Sequence, residues 1–115
     1  MDRQQVNKEI TMPLNSGDIW ESDLFDVAGK EVKTIGVYSE DFDGVLTVQA
    51  SMDRQNWYDH PSSDNPVSFT AGTMATITMT DVLPYLRTKI VVSAAATPVS
   101  GSTPTNNVKL YYIAN

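Results

Sequence analysis

The chain has 115 residues, 41% of them apolar and 19% charged, with a formal net charge of −6 and no cysteine. That length fits one domain with a core of its own, and the composition excludes a disordered chain, a disulfide framework and a zinc site built on thiolates. Eight of the fourteen acids fall between Asp18 and Asp43, offset there only by Lys30 and Lys33, and a surface of that sign repels phosphate, which disfavours direct nucleic-acid binding.

Residues 1–16 are polar with isolated apolar positions. Ile10, Met12 and Leu14 alternate as a strand does, but Pro13 interrupts them, and proline belongs on an edge or outside a ladder. We read an extended N-terminal arm ending in an edge strand, with the domain proper from residue 17 to 115. The start Met1-Asp2-Arg3-Gln4-Gln5 is polar and has no signal-type apolar core. No segment approaches the roughly 18–20 apolar residues of a membrane span. Synthesis in a cytoplasm and no membrane partner are the expectations.

Short strand-like runs follow. Asp18–Val27 reads as a bulged strand or two short pieces. After the turn Ala28-Gly29-Lys30, Glu31–Ser39 sets Lys33, Ile35 and Val37 on one face. Asp43-Gly44 is a hairpin signal, and Gly44–Ser51 then sets Leu46, Val48 and Ala50 on one face. Met52–Trp57 is a turn returning Trp57 to cover the core. His60–Pro66 is loop chemistry. Val67–Thr70 and Thr73–Thr80 flank Ala71-Gly72 as a second hairpin, with Ala75, Ile77 and Met79 aligned. Tyr85–Ser93 aligns Leu86, Thr88, Ile90 and Val92 opposite Arg87 and Lys89. Residues 94–106, rich in Ala, Ser, Thr and Pro, form the longest linker, and Val108, Leu110 and Tyr112 align in the closing strand. The expected fold is all-β: a single antiparallel β-sandwich, jelly-roll-like, of about eight strands.

The sequence offers little catalytic chemistry. His60 is the only histidine; it sits in a loop dipeptide with proline, and nothing marks a nucleophile elbow. We read it as an exposed loop residue and assign no catalytic residue, cofactor or metal. The turn Glu40-Asp41-Phe42-Asp43-Gly44 has carboxylates that suit Ca²⁺ but lacks the spacing of an EF-hand loop. Trp20, Trp57, Tyr58, Tyr85, Tyr111 and Tyr112 are either packing residues or an aromatic platform for a sugar.

Gly44-Val45-Leu46-Thr47-Val48-Gln49-Ala50-Ser51-Met52-Asp53-Arg54-Gln55-Asn56-Trp57 resembles a G-x-L-x-V-x-x-S-x-D-G-x-x-W hairpin of small β-sandwich proteins of tailed bacteriophages, with Arg54 where that pattern has glycine. Leu83–Val92 is similar to the P-Y-h-R-h-x-h strand of those proteins (h, hydrophobic), and Val108–Ile113 to their closing strand. The resemblance implies a non-enzymatic virion structural protein, such as a capsid decoration (cement) or minor head or tail protein, made in a host cytoplasm. It implies coat protein or other virion proteins as partners and a homo-oligomer, for which a trimer is the working expectation. Ile10, Met12 and Leu14 are the candidate interface residues, placed on a neighbouring subunit. The alternative is a carbohydrate-binding or host-attachment sandwich module; fold alone does not separate the two.

Overall fold

The computed structural model describes residues 4–11, 19–22, 24–39, 43–81, 83–93 and 107–114. Ten strands run in chain order: β1 (Gln4–Thr11), β2 (Ile19–Glu21), β3 (Phe25–Asp26), β4 (Lys33–Ser39), β5 (Gly44–Ser51), β6 (Tyr58–Asp59), β7 (Val67–Phe69), β8 (Ala75–Met79), β9 (Tyr85–Val92) and β10 (Asn107–Ala114). In β5, β8 and β9 inward apolar residues alternate with more exposed ones, so one face is buried and the other meets water.

One sheet has the order β1-β10-β4-β8; the other runs β2-β9-β5-β6, with β3 also beside β9 and β7 also beside β5. Every pairing between them is antiparallel. If β2/β3 and β6/β7 are each counted as one interrupted strand, the partners nest: β1 with β10, β2/β3 with β9, β4 with β8, β5 with β6/β7. That is one long hairpin wrapped across two packed sheets, a jelly roll, as the sequence led us to expect.

The nesting corrects two hairpin expectations. β4 and β5 lie in different sheets, as do β7 and β8. The turns at Asp43-Gly44 and Ala71-Gly72 are therefore crossings between sheets. Gly44 is required for space: a Cβ there would lie 2.5 Å from the Phe69 ring and 2.7 Å from the Val91 carbonyl. The in-sheet reversal is the Met52–Trp57 turn, between β5 and β6.

The inward rows meet in one core. Leu46, Val48, Ile77, Leu86, Ile90, Val108 and Leu110 are all buried, joined by Ile35, Val37, Phe69 and Met79. Full burial of each such side chain is worth about 1.5–3 kcal/mol. Trp57 is not among the residues packed on this core; it lies half-buried with the Arg87 guanidinium 4.5 Å from its ring centroid. Arg87 alternates with the buried Leu86 and Thr88, so Trp57 covers the outer face of its sheet and not the core.

β1 runs antiparallel to β10 at the end of the four-stranded sheet. Much of the segment read as an arm is thus an edge strand of its own domain. Met12, Pro13 and Leu14 lie outside the described residues.

Candidate functional site

The densest polar chemistry lies in the seam where β8, an edge of one sheet, meets the β6–β7 side of the other. Lys33 opens β4 in phase with Ile35 and Val37, so its side chain points inward and is 0% exposed. A buried ammonium needs a counter-charge and acceptors. Asp81, just past β8, supplies both: Lys33 Nζ donates to the Asp81 backbone carbonyl at 2.6 Å and to Oδ1 at 3.0 Å. Oδ1 also accepts the Leu83 N–H at 2.9 Å.

His60 completes the cluster. It follows β6 and is 4% exposed, which corrects the expectation of an exposed loop residue. Its backbone N–H donates to the Val48 carbonyl at 2.9 Å, extending the β5–β6 pairing and turning the ring into the seam. The ring Nδ1 accepts the Ser62 N–H at 3.0 Å, and Nε2 faces Asp81 Oδ2. A nitrogen that accepts carries no proton, so with Nδ1 accepting the imidazole proton falls to Nε2, which lies against Asp81 Oδ2. Burial by itself raises the Asp81 pKa, but the Leu83 amide, the Lys33 hydrogen bond, and the electrostatic influence of His60 and of the Lys33 ammonium hold the carboxyl below its ordinary value. It is the anion at the centre of the group.

A cavity of about 350 Å³ opens beside the cluster, lined by His60, Ser62, Asp64, Thr78, Met79 and Asp81 among others. His60 is not placed to serve Ser62 as a base, because Nδ1 accepts the Ser62 backbone N–H, Nε2 faces Asp81, and Ser62 Oγ donates to the Thr78 carbonyl at 3.0 Å. Asn65 does related work one step along: its Oδ1 accepts the Val48 N–H at 2.9 Å, and its Nδ2 donates to the Val48 and His60 carbonyls, each at 2.9 Å. A side-chain amide thus fills the gap between β6 and β7 along β5. Together these groups lock the open side of the sandwich.

The β5–β6 turn is built on two side-chain acceptors, Ser51 and Asp53. Ser51 Oγ accepts the N–H of Asp53 at 3.2 Å and of Arg54 at 2.8 Å. Asp53 Oδ1 accepts the N–H of Gln55 at 2.9 Å and of Asn56 at 2.8 Å. The Asn56 and Gln55 amides, with the Asn56 side chain, hold the Asp53 carboxyl far below the usual carboxylate range. Arg54 has φ of +67°, the left-handed region that glycine enters freely and other residues enter at a cost. The position where the resembling pattern carries glycine does need a positive φ, and arginine adopts it here.

The aromatic residues divide among different jobs. Trp20 packs on the core, and Tyr112 is buried with its ring stacked on Phe25 at 4.8 Å between centroids. Burial, then the Asp26 charge, push the Tyr112 hydroxyl up to about 12. Trp57 and Tyr85 each carry an arginine on the ring, Arg87 at 4.5 Å and Arg54 at 4.7 Å. Tyr58, at 70% exposed, stands at the sheet edge. In the acidic turn, Asp43 Oδ1 accepts the Ala71 N–H at 2.9 Å; Glu40, Asp41 and Phe42 lie outside the described residues. Of the expected interface residues, Ile10 sits on β1 opposite Val108; Met12 and Leu14 lie outside the described residues.

No protein-family model and no curated protein matches the chain. Solved structures share its fold. Over 96% of its length it is similar to the PBSX exported protein XepA (TM-score 0.70, 16% identity), and it spans 37% of that longer chain. It is similar over 99% of its length to a chain described under Bacillus endospore appendages that form disulfide-linked pili (TM-score 0.56, 10% identity, 87% of that chain). It is also similar over 96% to the SPBc2 prophage-derived protein YomS (TM-score 0.50, 10% identity, 94% of that chain). At these identities the likeness is one of fold. The fold is a jelly-roll sandwich that a prophage-derived protein and an appendage protein also use.

Proposed function

We propose that the chain is a non-enzymatic structural component of a bacteriophage particle, a capsid decoration (cement) or minor head or tail protein that binds and stabilises a lattice of coat subunits. The observation that carries this reading is the near whole-length likeness of fold to the prophage-derived YomS. It is joined by the phage-type Gly44–Trp57 turn, and by a buried ionisable cluster in which the Lys33 ammonium is bonded to Asp81. A cement protein works by many weak contacts repeated over a lattice, and it needs a rigid body with a presented surface more than a cavity with free chemistry. Copies of the chain associate with each other, a trimer being the working model, and Ile10 with Met12 and Leu14 contributes to that contact. The experiment is quantitative mass spectrometry of density-purified phage particles from cells that express the chain. Its peptides are expected at a fixed ratio to coat protein. Peptides abundant in the lysate but absent from purified particles would overturn the reading.

A further inference from the structure

The outer face of the six-stranded sheet gathers Arg54, Arg87 and Lys89, with Glu21 and Asp59 on the strands at its margins. β9 presents Tyr85, Arg87 and Lys89 outward, alternating with the buried Leu86, Thr88 and Ile90, at spacings of about 7 Å. Arg54 reaches the same row from the β5–β6 turn and donates from Nη2 to the Tyr85 hydroxyl at 3.3 Å. Arg87 donates from Nε to Gln49 Oε1 at 2.7 Å, and Gln49 Nε2 donates in turn to Asp59 Oδ1 at 3.4 Å. Each guanidinium lies over a ring, Arg54 on Tyr85 and Arg87 on Trp57. Lys89 has Glu21 opposite it in the β2–β9 register; the two arginines have rings beneath them instead.

The arginines are open to a partner, and their ring support separates them from the chain's exposed lysines. Among the described residues neither guanidinium has a carboxylate within ion-pair distance, in a chain with fourteen acids and eight bases. Both are also held in place by ring stacking and a hydrogen bond, so less rotamer freedom is lost when they engage a partner. The rings are used as supports for arginine, which leaves fewer free faces for a stacked sugar.

We propose that this face is a docking surface for an acidic protein partner, with Arg54 and Arg87 pairing carboxylates that the partner presents. The proposal deepens the assembly reading and rests on it for the class of partner. The charges are complementary only locally, since the chain as a whole is negative, so the contact is short-ranged and weakened by salt.

The test is fluorescence anisotropy of labelled poly-L-glutamate titrated with the full chain, with polygalacturonate as a second polyanion. Saturable, salt-sensitive binding of poly-L-glutamate is expected. The pair Arg54→Gln/Arg87→Gln should weaken it about tenfold, the loss of two exposed charge contacts. Lys30→Gln/Lys109→Gln removes the same formal charge from elsewhere and should leave it unchanged. Circular dichroism of both pairs checks that the fold is kept, and Arg54→Lys/Arg87→Lys keeps the charge while losing the planar fork, giving an intermediate loss. Absence of saturable binding, equal weakening by both glutamine pairs, or tighter binding of polygalacturonate would each overturn the proposal. The particle reading fails separately: an Arg54→Gln/Arg87→Gln chain that still copurifies with particles at full ratio removes this surface and leaves that reading standing.

Discussion

Lys33 and the pair Arg54/Arg87 are cations in opposite circumstances. Lys33 is sealed inside the seam with its ammonium on Asp81 and His60 beside it. The arginines stand on the outer face of a sheet, propped on rings and without a carboxylate among the described residues. A buried charge must be matched within its own chain or the fold does not close. A surface charge is solvated and need not be matched at all. Spent charge therefore marks what holds the molecule together, and oriented but unspent charge marks what it offers to others.

The largest effect expected on this contrast comes from Asp81→Asn. It strands a fully buried ammonium and should cost about 3 kcal/mol in urea unfolding, the lower end for a broken buried pair, because the Asp81 side chain is 33% exposed. Lys33→Met removes the buried charge itself and leaves a carboxylate that is one-third exposed to solvent, so it should cost well under half as much. The Asp81 carboxyl is held below its ordinary value in the folded state, so its stabilisation is present above about pH 5 and lost as the pH falls. The acid limb of a stability–pH profile should accordingly flatten in Asp81→Asn.

A smaller effect of opposite sign is expected at Thr88. Its hydroxyl is fully buried on β9 without a hydrogen-bond partner among the described residues. Thr88→Val keeps the shape and removes the unmatched group, and should stabilise by about 1 kcal/mol. Smaller still, Arg54→Gly relieves a left-handed non-glycine residue, worth about 1 kcal/mol, but gives up the Tyr85 ring contact, worth about 0.5–1 kcal/mol, so stability should change by less than about 0.5 kcal/mol while one docking cation is lost. At the alkaline end, Tyr112 stays neutral up to about 12 in the folded chain, whereas an unfolded tyrosine ionises near pH 10. Stability should fall between those values, and absorbance at phenolate wavelengths should show one tyrosine titrating late.

The strands and their inward rows were legible because alternation is a local signal: Leu46-x-Val48-x-Ala50 and Leu86-x-Thr88-x-Ile90-x-Val92 fall on the buried face as written. The crossings were not legible. Asp43-Gly44 and Ala71-Gly72 report only that the chain turns, and a turn within a sheet uses the same residues as an arch between sheets. The seam cluster escaped because it joins Lys33, His60 and Asp81 across three separate segments. One signal was available: Lys33 shares a face with Ile35 and Val37, and a lysine in phase with core residues requires a carboxylate somewhere in the fold. Nothing local pointed to Asp81 or to the tucked histidine. Trp57 misled because a large ring after a turn suits either face of a sheet, and only the Arg87 contact decides which.

The central claim, that spent charge holds the fold and unspent charge is free for a partner, is tested most directly by one set of urea unfolding curves on Asp81→Asn and Arg54→Gln/Arg87→Gln beside the unaltered chain. The account predicts a loss of about 3 kcal/mol for Asp81→Asn. For the arginine pair it predicts no more than about 1.5 kcal/mol, the scale of two exposed cation–ring contacts. An arginine pair that costs as much as Asp81, or an Asp81→Asn chain as stable as the original, would contradict it.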